Sequence, residues 1–260
     1  MRILFFGDVF GKPGRKIVKQ YLPGMIEEFD ADVVIANGEN LAQGRGVTEK
    51  TCAEVFEAGV AALTSGNHLW DQKTSLEYIK NETRIIKPLN FPHCSPGFDH
   101  AILDVGKSKL AIITLVGQAF MGAAGFPFEK ICEIMPRIRE KTPNILVDYH
   151  AEATAEKRAL GFYLDGKISA LVGTHTHIQT ADEEILPHGT AYITDVGMTG
   201  PHDSIIGTDK DIILQKILTG VPRRFDVAKS GLQINAVIIE ISDVNGKALL
   251  IQRIRRKLND

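Results

Sequence analysis

The chain alternates short apolar runs with stretches of helical period, the pattern of a layered α/β fold. "RILFFG" opens as a buried strand. "PGRKIVKQYLPGMIEEF" follows, with Ile17, Val18, Tyr21, Leu22, Met25, Ile26 and Phe29 on one helical face. Pro23-Gly24 predicts a kink or a split in that helix. "DVVIAN" and "VAALTSG" read as strands on either side of a helix in "TEKTCAEVFEAG", which Thr48 caps and Gly59 stops. Residues 84–118 turn β-rich in "RIIKP", "HAILDVG" and "KLAIITLVG". A helix in "FEKICEIMPRIRE", weakened by Pro136, leads to the strand "NILVDYH", the helix "ATAEKRALGFYL" and the strand "ISALVGTHTH". "GTAYITD" and a helix in "DKDIILQKILTG" precede two long strands, "LQINAVIIEIS" and "KALLIQRIRR", joined as a hairpin through "DVNG". No repeat, low-complexity tract or linker interrupts the pattern, so residues 1–260 read as a single domain.

Composition narrows the class. Hydrophobic residues make up 44% and charged residues 24%, ordinary for a globular protein. Thirty basic side chains stand against 32 acidic ones, a net charge of −2, so there is no global field to hold nucleic acid or an anionic membrane. The one basic cluster, "RIRRK" at 253–257, reads as a solvated strand end. Cys52, Cys94 and Cys132 form no CxxC pair, which argues against a disulfide framework and a cysteine-built zinc site. The apolar run before Gly7-Asp8 is too short for a secretory leader, and no run approaches the ~20 apolar residues of a membrane span. The expectation is a soluble cytoplasmic protein with no membrane partner and no strong nucleic-acid footprint.

Every strong polar cluster sits just after an apolar strand. "FFGD" delivers Asp8, "VVIANGEN" Glu39 and Asn40, "ALTSGNH" Asn67 and His68, "ILVDYH" His150, and "ALVGTHTH" His175 and His177. Sites in open α/β sheets gather at the carboxyl ends of strands, so the sheet would bring these groups together. Imidazole and carboxylate suit iron, manganese or zinc. Gly7, Gly38, Gly66 and Gly173 precede the ligands and would let the backbone turn sharply. In a strict strand the two histidines of "HTH" would share one face. A bend would let each reach a different metal of a pair about 3.5–4 Å apart. Each motif alone has a plainer reading: a helix cap for Asp8, a turn for "GEN", a hydrogen-bonded core residue for His150. The five together, in matching context, favour a metal site.

As a set these motifs resemble the calcineurin-like metallophosphoesterase superfamily. The sequence departs from the commonest pattern of that superfamily twice. "DVF" stands where Asp-x-His is usual, so Phe10 replaces a ligand, and "NGEN" stands where Gly-Asp-x-x-Asp is usual. Both departures match the bacterial YmdB-like phosphodiesterases, as do "GDVFGKPGR" and "TDVGMTGP". The resemblance implies a four-layer α/β-β/α sandwich with two central mixed sheets flanked by helices. It also implies a centre of two divalent metal ions per chain, iron first with manganese or zinc as alternatives, and hydrolysis of cyclic nucleotides, especially the 2′,3′ kind. Carried over position by position, Asp8, Asn40 and His177 are expected to ligate the first metal and Asn67, His150 and His175 the second. Glu39 is the expected bridge and His68 the expected proton donor.

His93 and His100 are assigned structural roles, and Trp70 is assigned to the core. His188 and His202 lie on loops after the metal motifs and are candidates for the substrate border. The loop "AQGRG" at 42–46 is a solvated loop by default, with Arg45 able to approach a phosphate, and "GAAGF" at 122–126 is a lid candidate. Two competing functions stay open: a phosphomonoesterase or nucleotidase using the same centre, and a regulatory RNA-associated protein with a minor catalytic role. The long terminal strands and apolar loops are compatible with a homo-oligomer.

Overall fold

A computed structural model describes residues 1–122 and 124–258. Ala123, within the "GAAGF" lid candidate, lies outside the described residues, as do 259 and 260. Two sheets dominate. The first comprises β1 (Arg2–Phe6), β2 (Asp8–Val9), β3 (Val33–Asn37), β4 (Ala62–Thr64), β11 (Met198–Pro201), β12 (Leu232–Ile241) and β13 (Ala248–Lys257). Its order is β2-β11-β12-β1-β3-β4, with β13 also paired to β12. The second comprises β5 (His100–Val105), β6 (Ser108–Val116), β7 (Ile145–His150), β8 (Ala170–Thr174), β9 (Glu184–Ile185) and β10 (Ala191–Ile193), in the order β5-β6-β7-β8-β10-β9. The strands that carry the polar motifs run parallel: β1 with β3, β3 with β4, and β7 with both β6 and β8. Their carboxyl ends therefore emerge together.

The unbroken apolar runs follow from burial on both faces. In β1, Ile3 and Phe5 enter the core between the sheets, while Leu4 and Phe6 face the outer layer. That outer layer is built from α1 (Gly11–Phe29), α2 (Glu49–Phe56) and α3 (Leu76–Asn81), with Ile17, Leu22, Cys52 and Ile79 as contacts. On the second sheet, Ile112 and Leu146 face inward, while Ile113 and Val147 pack on α4 (Pro127–Arg139) and α5 (Thr154–Leu164). The result is the expected four layers, helix–sheet–sheet–helix. Each side chain fully removed from water in these layers contributes roughly 1.5–3 kcal/mol.

Several details differ from the sequence reading. Helix α1 runs unbroken through Pro23-Gly24, and α4 through Pro136. All three residues lie on the solvent face, so the hydrogen bond each proline removes is replaced by water while the buried stripe continues. "RIIKP" forms single bridges, Leu63 with Ile85, Ile86 with Phe98 and Pro88 with Thr114, rather than a strand. Strand β8 stops at Thr174, before both histidines of "HTH". The helix in "DKDIILQKILTG" forms as α6 (Lys210–Thr219), capped by Asp209, but buries none of its side chains. Thr48 caps α2 in a reciprocal capping box with Thr51. The basic end of β13 is engaged locally: Arg253 pairs with Glu183 and Arg256 with Glu28. No helix among the described residues is long and apolar enough to cross a membrane.

Candidate metal centre

The five strand ends converge where the carboxyl edges of the two sheets meet. Asp8 lies in β2, Glu39 and Asn40 follow β3, and Asn67 and His68 follow β4, all from the first sheet. His150 ends β7, and His175 and His177 follow β8, from the second. Closeness between the sheets explains the glycines differently from the sequence reading. Gly7, Gly38, Gly66 and Gly173 all have φ outside the left-handed region, so they are not there to turn the chain. They are there for space: a Cβ on Gly66 would stand 2.1 Å from His150 Cδ2 and 2.4 Å from Glu39 Oε2. The bend falls instead on the histidines, with φ of 102° at His175 and 66° at His177. Left-handed φ at two non-glycine residues is a strain that surrounding structure must hold.

That bend separates the imidazoles. His175 Nδ1 comes 3.0 Å from His150 Nε2, and His150 Nε2 lies 3.1 Å from Glu39 Oε1. Donor atoms of Glu39, His150 and His175 all fall within 4.8 Å of one another, a spacing that can hold a metal ion. His177 turns the other way, its Nε2 4.0 Å from Asp8 Oδ1. Three buried oxygens around these groups have no hydrogen-bond partner: Asp8 Oδ1, Asn40 Oδ1 and Asn67 Oδ1. Orphaned buried acceptors are costly and uncommon in native interiors. Asn40 is turned so that its amide donates to the Gly44 carbonyl at 2.9 Å, which leaves the oxygen to the site. Glu39, His150 and His175 thus offer donor atoms that one cation could take together, and the free oxygens of Asp8, Asn40 and Asn67 and the ring nitrogen of His177 belong to the neighbouring strand ends.

Buried carboxylates set the electrostatics. Burial pushes Asp8 well above the usual carboxylate range, although His150 opposes it. Burial would raise Glu39 too, but the His150 imidazole and His68 hold it down at about 2. Burial disfavours charge on His150, yet Glu39, Asp8 and Asp148 push it up to about 9. Burial and the neighbouring His150 drive His175 down to about 3, and burial lowers His177.

Residues outside the expected set hold the centre in shape. Thr174 Oγ1 donates to Asp148 at 2.7 Å and faces His150 Nδ1 at 2.8 Å, so the other ring nitrogen of His150 is the one presented to Glu39. Asp148 also accepts from Thr64 Oγ1 and Asn37 Nδ2, which ties the two sheets together. Asp195 accepts from the backbone N–H and hydroxyl of Thr176 at 3.1 and 2.8 Å, and from Lys157 Nζ at 2.7 Å. Lys157 in turn donates to the Thr174 carbonyl at 2.8 Å, and both charged residues are fully buried. This pair anchors the strained 174–177 turn and accounts for the aspartate of "TDVGMTGP". The signal in the sequence was the unexplained motif itself.

His68 is half-buried beside the cluster. Its backbone N–H donates to Glu39 Oε2 at 3.1 Å, and its Nδ1 lies 2.9 Å from Asp71 Oδ2. A cleft of about 430 Å³ opens here, lined by Glu39, Asn40, His68, His175 and His177, with Arg45 at its edge. The remaining histidines are elsewhere. His188 is exposed and paired with Asp165, His202 donates to the Met198 carbonyl, and His100 pairs with Asp99. His93 borders a separate cavity. Trp70 packs against the outer core and donates to the Pro96 carbonyl.

Comparison with known proteins agrees with this architecture. The family model described as "YmdB-like protein" matches residues 4–254, and the chain belongs to that family. A 2′,3′-cyclic-nucleotide 2′-phosphodiesterase of Bacillus subtilis (strain 168) is 46% identical over 254 residues, 98% of this chain and 96% of its own length. The crystal structure of a hypothetical protein from Thermus thermophilus superposes with a TM-score of 0.93 at 39% identity, over 99% of both chains. A putative 5′-nucleotidase from Staphylococcus aureus, at 14% identity, shares the fold alone, with a TM-score of 0.61 over 98% of this chain and 54% of its own.

Proposed function

We propose that the whole chain acts as one metallophosphoesterase domain that hydrolyses 2′,3′-cyclic nucleotides to nucleotide 3′-phosphates. The observation that carries the reading is the set of buried, partnerless oxygens on Asp8, Asn40 and Asn67 around the Glu39–His150 pair. Asp8, Asn40 and His177 would hold one divalent cation, and Asn67, His150 and His175 a second, with Glu39 shared between them. When bound, such a pair of ions, iron, manganese or zinc, supplies Lewis acidity that activates water near neutral pH and offsets charge on the phosphoryl oxygens. The protein's part is orientation and proton transfer. Thr174 fixes the His150 ring, and the Asp195–Lys157 pair fixes the turn that separates His175 from His177. His68, aligned by Asp71, delivers a proton to the departing 2′ oxygen. The 46% identity to the B. subtilis enzyme over nearly the full chain supports the choice of substrate.

Metal content by elemental analysis, combined with steady-state assays on cyclic nucleotides and nucleoside monophosphates, tests this reading. Two ions per chain and preference for the 2′,3′-cyclic substrates are expected. Preference for the monoesters would make the protein a nucleotidase, and well under one ion per reconstituted chain would refute the metal centre.

A further inference from the structure

The excursion between β11 and β12 supplies the far wall of the cleft. Ile205, Ile206, Ile213 and Phe225 all line the same cavity as Glu39, His68 and His177. Within the excursion Ile205 bridges Thr208 and Thr208 bridges Val227, and backbone bonds join Asp209 to Asp226 and Ala228 to Gly207. Ile206 and Phe225 are 53% and 41% exposed, unusual for apolar side chains beside a buried charged centre. Ile206 is also strained, a β-branched residue at φ 46°, and its carbonyl faces His177 Nδ1 at 2.9 Å. The loop that orients an expected metal ligand is therefore the loop that presents the apolar side chain.

Phe10 explains how this wall is placed. The ring that stands where a ligand is usual lies edge-on to His177, centroids 5.4 Å apart. A Cβ on Gly44 or on Gly207 would fall 2.6 Å from that ring. Both loops therefore rest on Phe10, one carrying Arg45 and the other Ile206. Arg45 lines the cleft, and its guanidinium forms no ion pair among the described residues.

We propose that Ile205, Ile206, Ile213 and Phe225 form the nucleobase subsite, with Arg45 serving the phosphate in the same cleft. This rests on the cyclic-nucleotide reading given above. The four wall side chains carry no hydrogen-bonding group, so they recognise the face of a heterocycle and not its edge, and all four bases should be accepted. Thr208 is the one hydroxyl that this excursion adds to the lining.

Steady-state kinetics of Phe225→Ala and Ile213→Ala on adenosine 2′,3′-cyclic monophosphate and on base-free ribose 2,3-cyclic phosphate test the subsite. Loss of stacking should raise KM for the nucleotide roughly 10-fold with kcat unchanged. KM for the base-free substrate should not move, and Phe225→Tyr should restore the nucleotide value. An equal rise for both substrates, or none for the nucleotide, would overturn the assignment. So would a change of oligomeric state in Phe225→Ala, which would make the wall an interface between copies. If the metal-loaded parent protein turns over neither substrate, the functional reading fails separately. The subsite is then judged by calorimetric titration with adenosine 3′-monophosphate: roughly 10-fold weaker binding in Phe225→Ala supports it, and unchanged binding overturns it.

Discussion

At the scale of single residues, His68 and His150 carry the same side chain in two environments that suit two different roles. His150 is fully buried, with carboxylates of Glu39, Asp8 and Asp148 around it and a hydroxyl fixing one ring nitrogen. His68 is half-buried at the cleft, and Asp71 holds its Nδ1. A buried ring among anions suits a cation, whereas a ring at the cleft suits proton transfer. His68→Ala should therefore keep the bound metals and lose turnover by about 10²–10⁴-fold. The loss should shrink for a nitrophenyl ester, whose leaving group needs no proton. His150→Ala should lose metal and activity together on every substrate. Parallel metal analysis and assays on good and poor leaving groups check both. Loss of metal in the His68 variant would make that residue a ligand.

At the scale of elements, the strands and the polar residues at their ends were legible in the sequence for one reason. Parallel strands buried on both faces read as continuous apolar runs, and the polar residue that ends each run is conspicuous. Asp8, Glu39, Asn67 and His150 stand out on that ground alone. What the sequence did not show was support at a distance. Lys157 looks like an ordinary helix-surface lysine in "ATAEKRALGFYL", and only the fold brings it beneath the 174–177 turn to meet Asp195. Prolines misled because their effect depends on which helix face they occupy, as Pro23 and Pro136 show. The exposed α6 was predicted correctly as a helix, but its apolar residues gave no hint that none of them is fully buried. The buried Lys157–Asp195 pair makes a prediction at this scale. Asp195→Ala leaves an unpaired buried ammonium and should cost about 3–5 kcal/mol in urea unfolding. Combining Lys157→Met with Asp195→Asn should recover most of that stability. Metal affinity should stay weakened, because Thr176 and the strained histidines have lost their anchor. If the double variant binds metal as tightly as the parent, other bonds hold the turn.

At the scale of the whole molecule, the two sheets bring together groups whose charges neither sheet could bury alone. Asp8 and Glu39 come from the first sheet, Asp148 and His150 from the second. Among the protein groups alone, His150 carries the balancing positive charge. Its pKa is raised from 6.5 to about 9, so its stabilising contribution is fully present below 6.5 and lost as pH rises through 9. Glu39 is lowered from 4.5 to about 2, so its contribution is present above 4.5 and lost as pH falls through 2. Both contributions are complete only between 4.5 and 6.5. A cation needs the lone pair that the proton on His150 occupies, so binding must displace that proton. His175 at about 3 and His177, also lowered, are already neutral near pH 7 and release none. Metal binding at pH 7 should therefore release the His150 proton and, in addition, any proton that the raised pKa leaves on Asp8, so at least one proton per chain is expected, and affinity should climb with pH until about 9. Calorimetric titration of the metal-stripped protein with manganese, in buffers of different ionisation enthalpy, measures that number directly. Release of no proton at pH 7 would mean that His150 is neutral before the metal arrives and that the carboxylates are balanced in some other way.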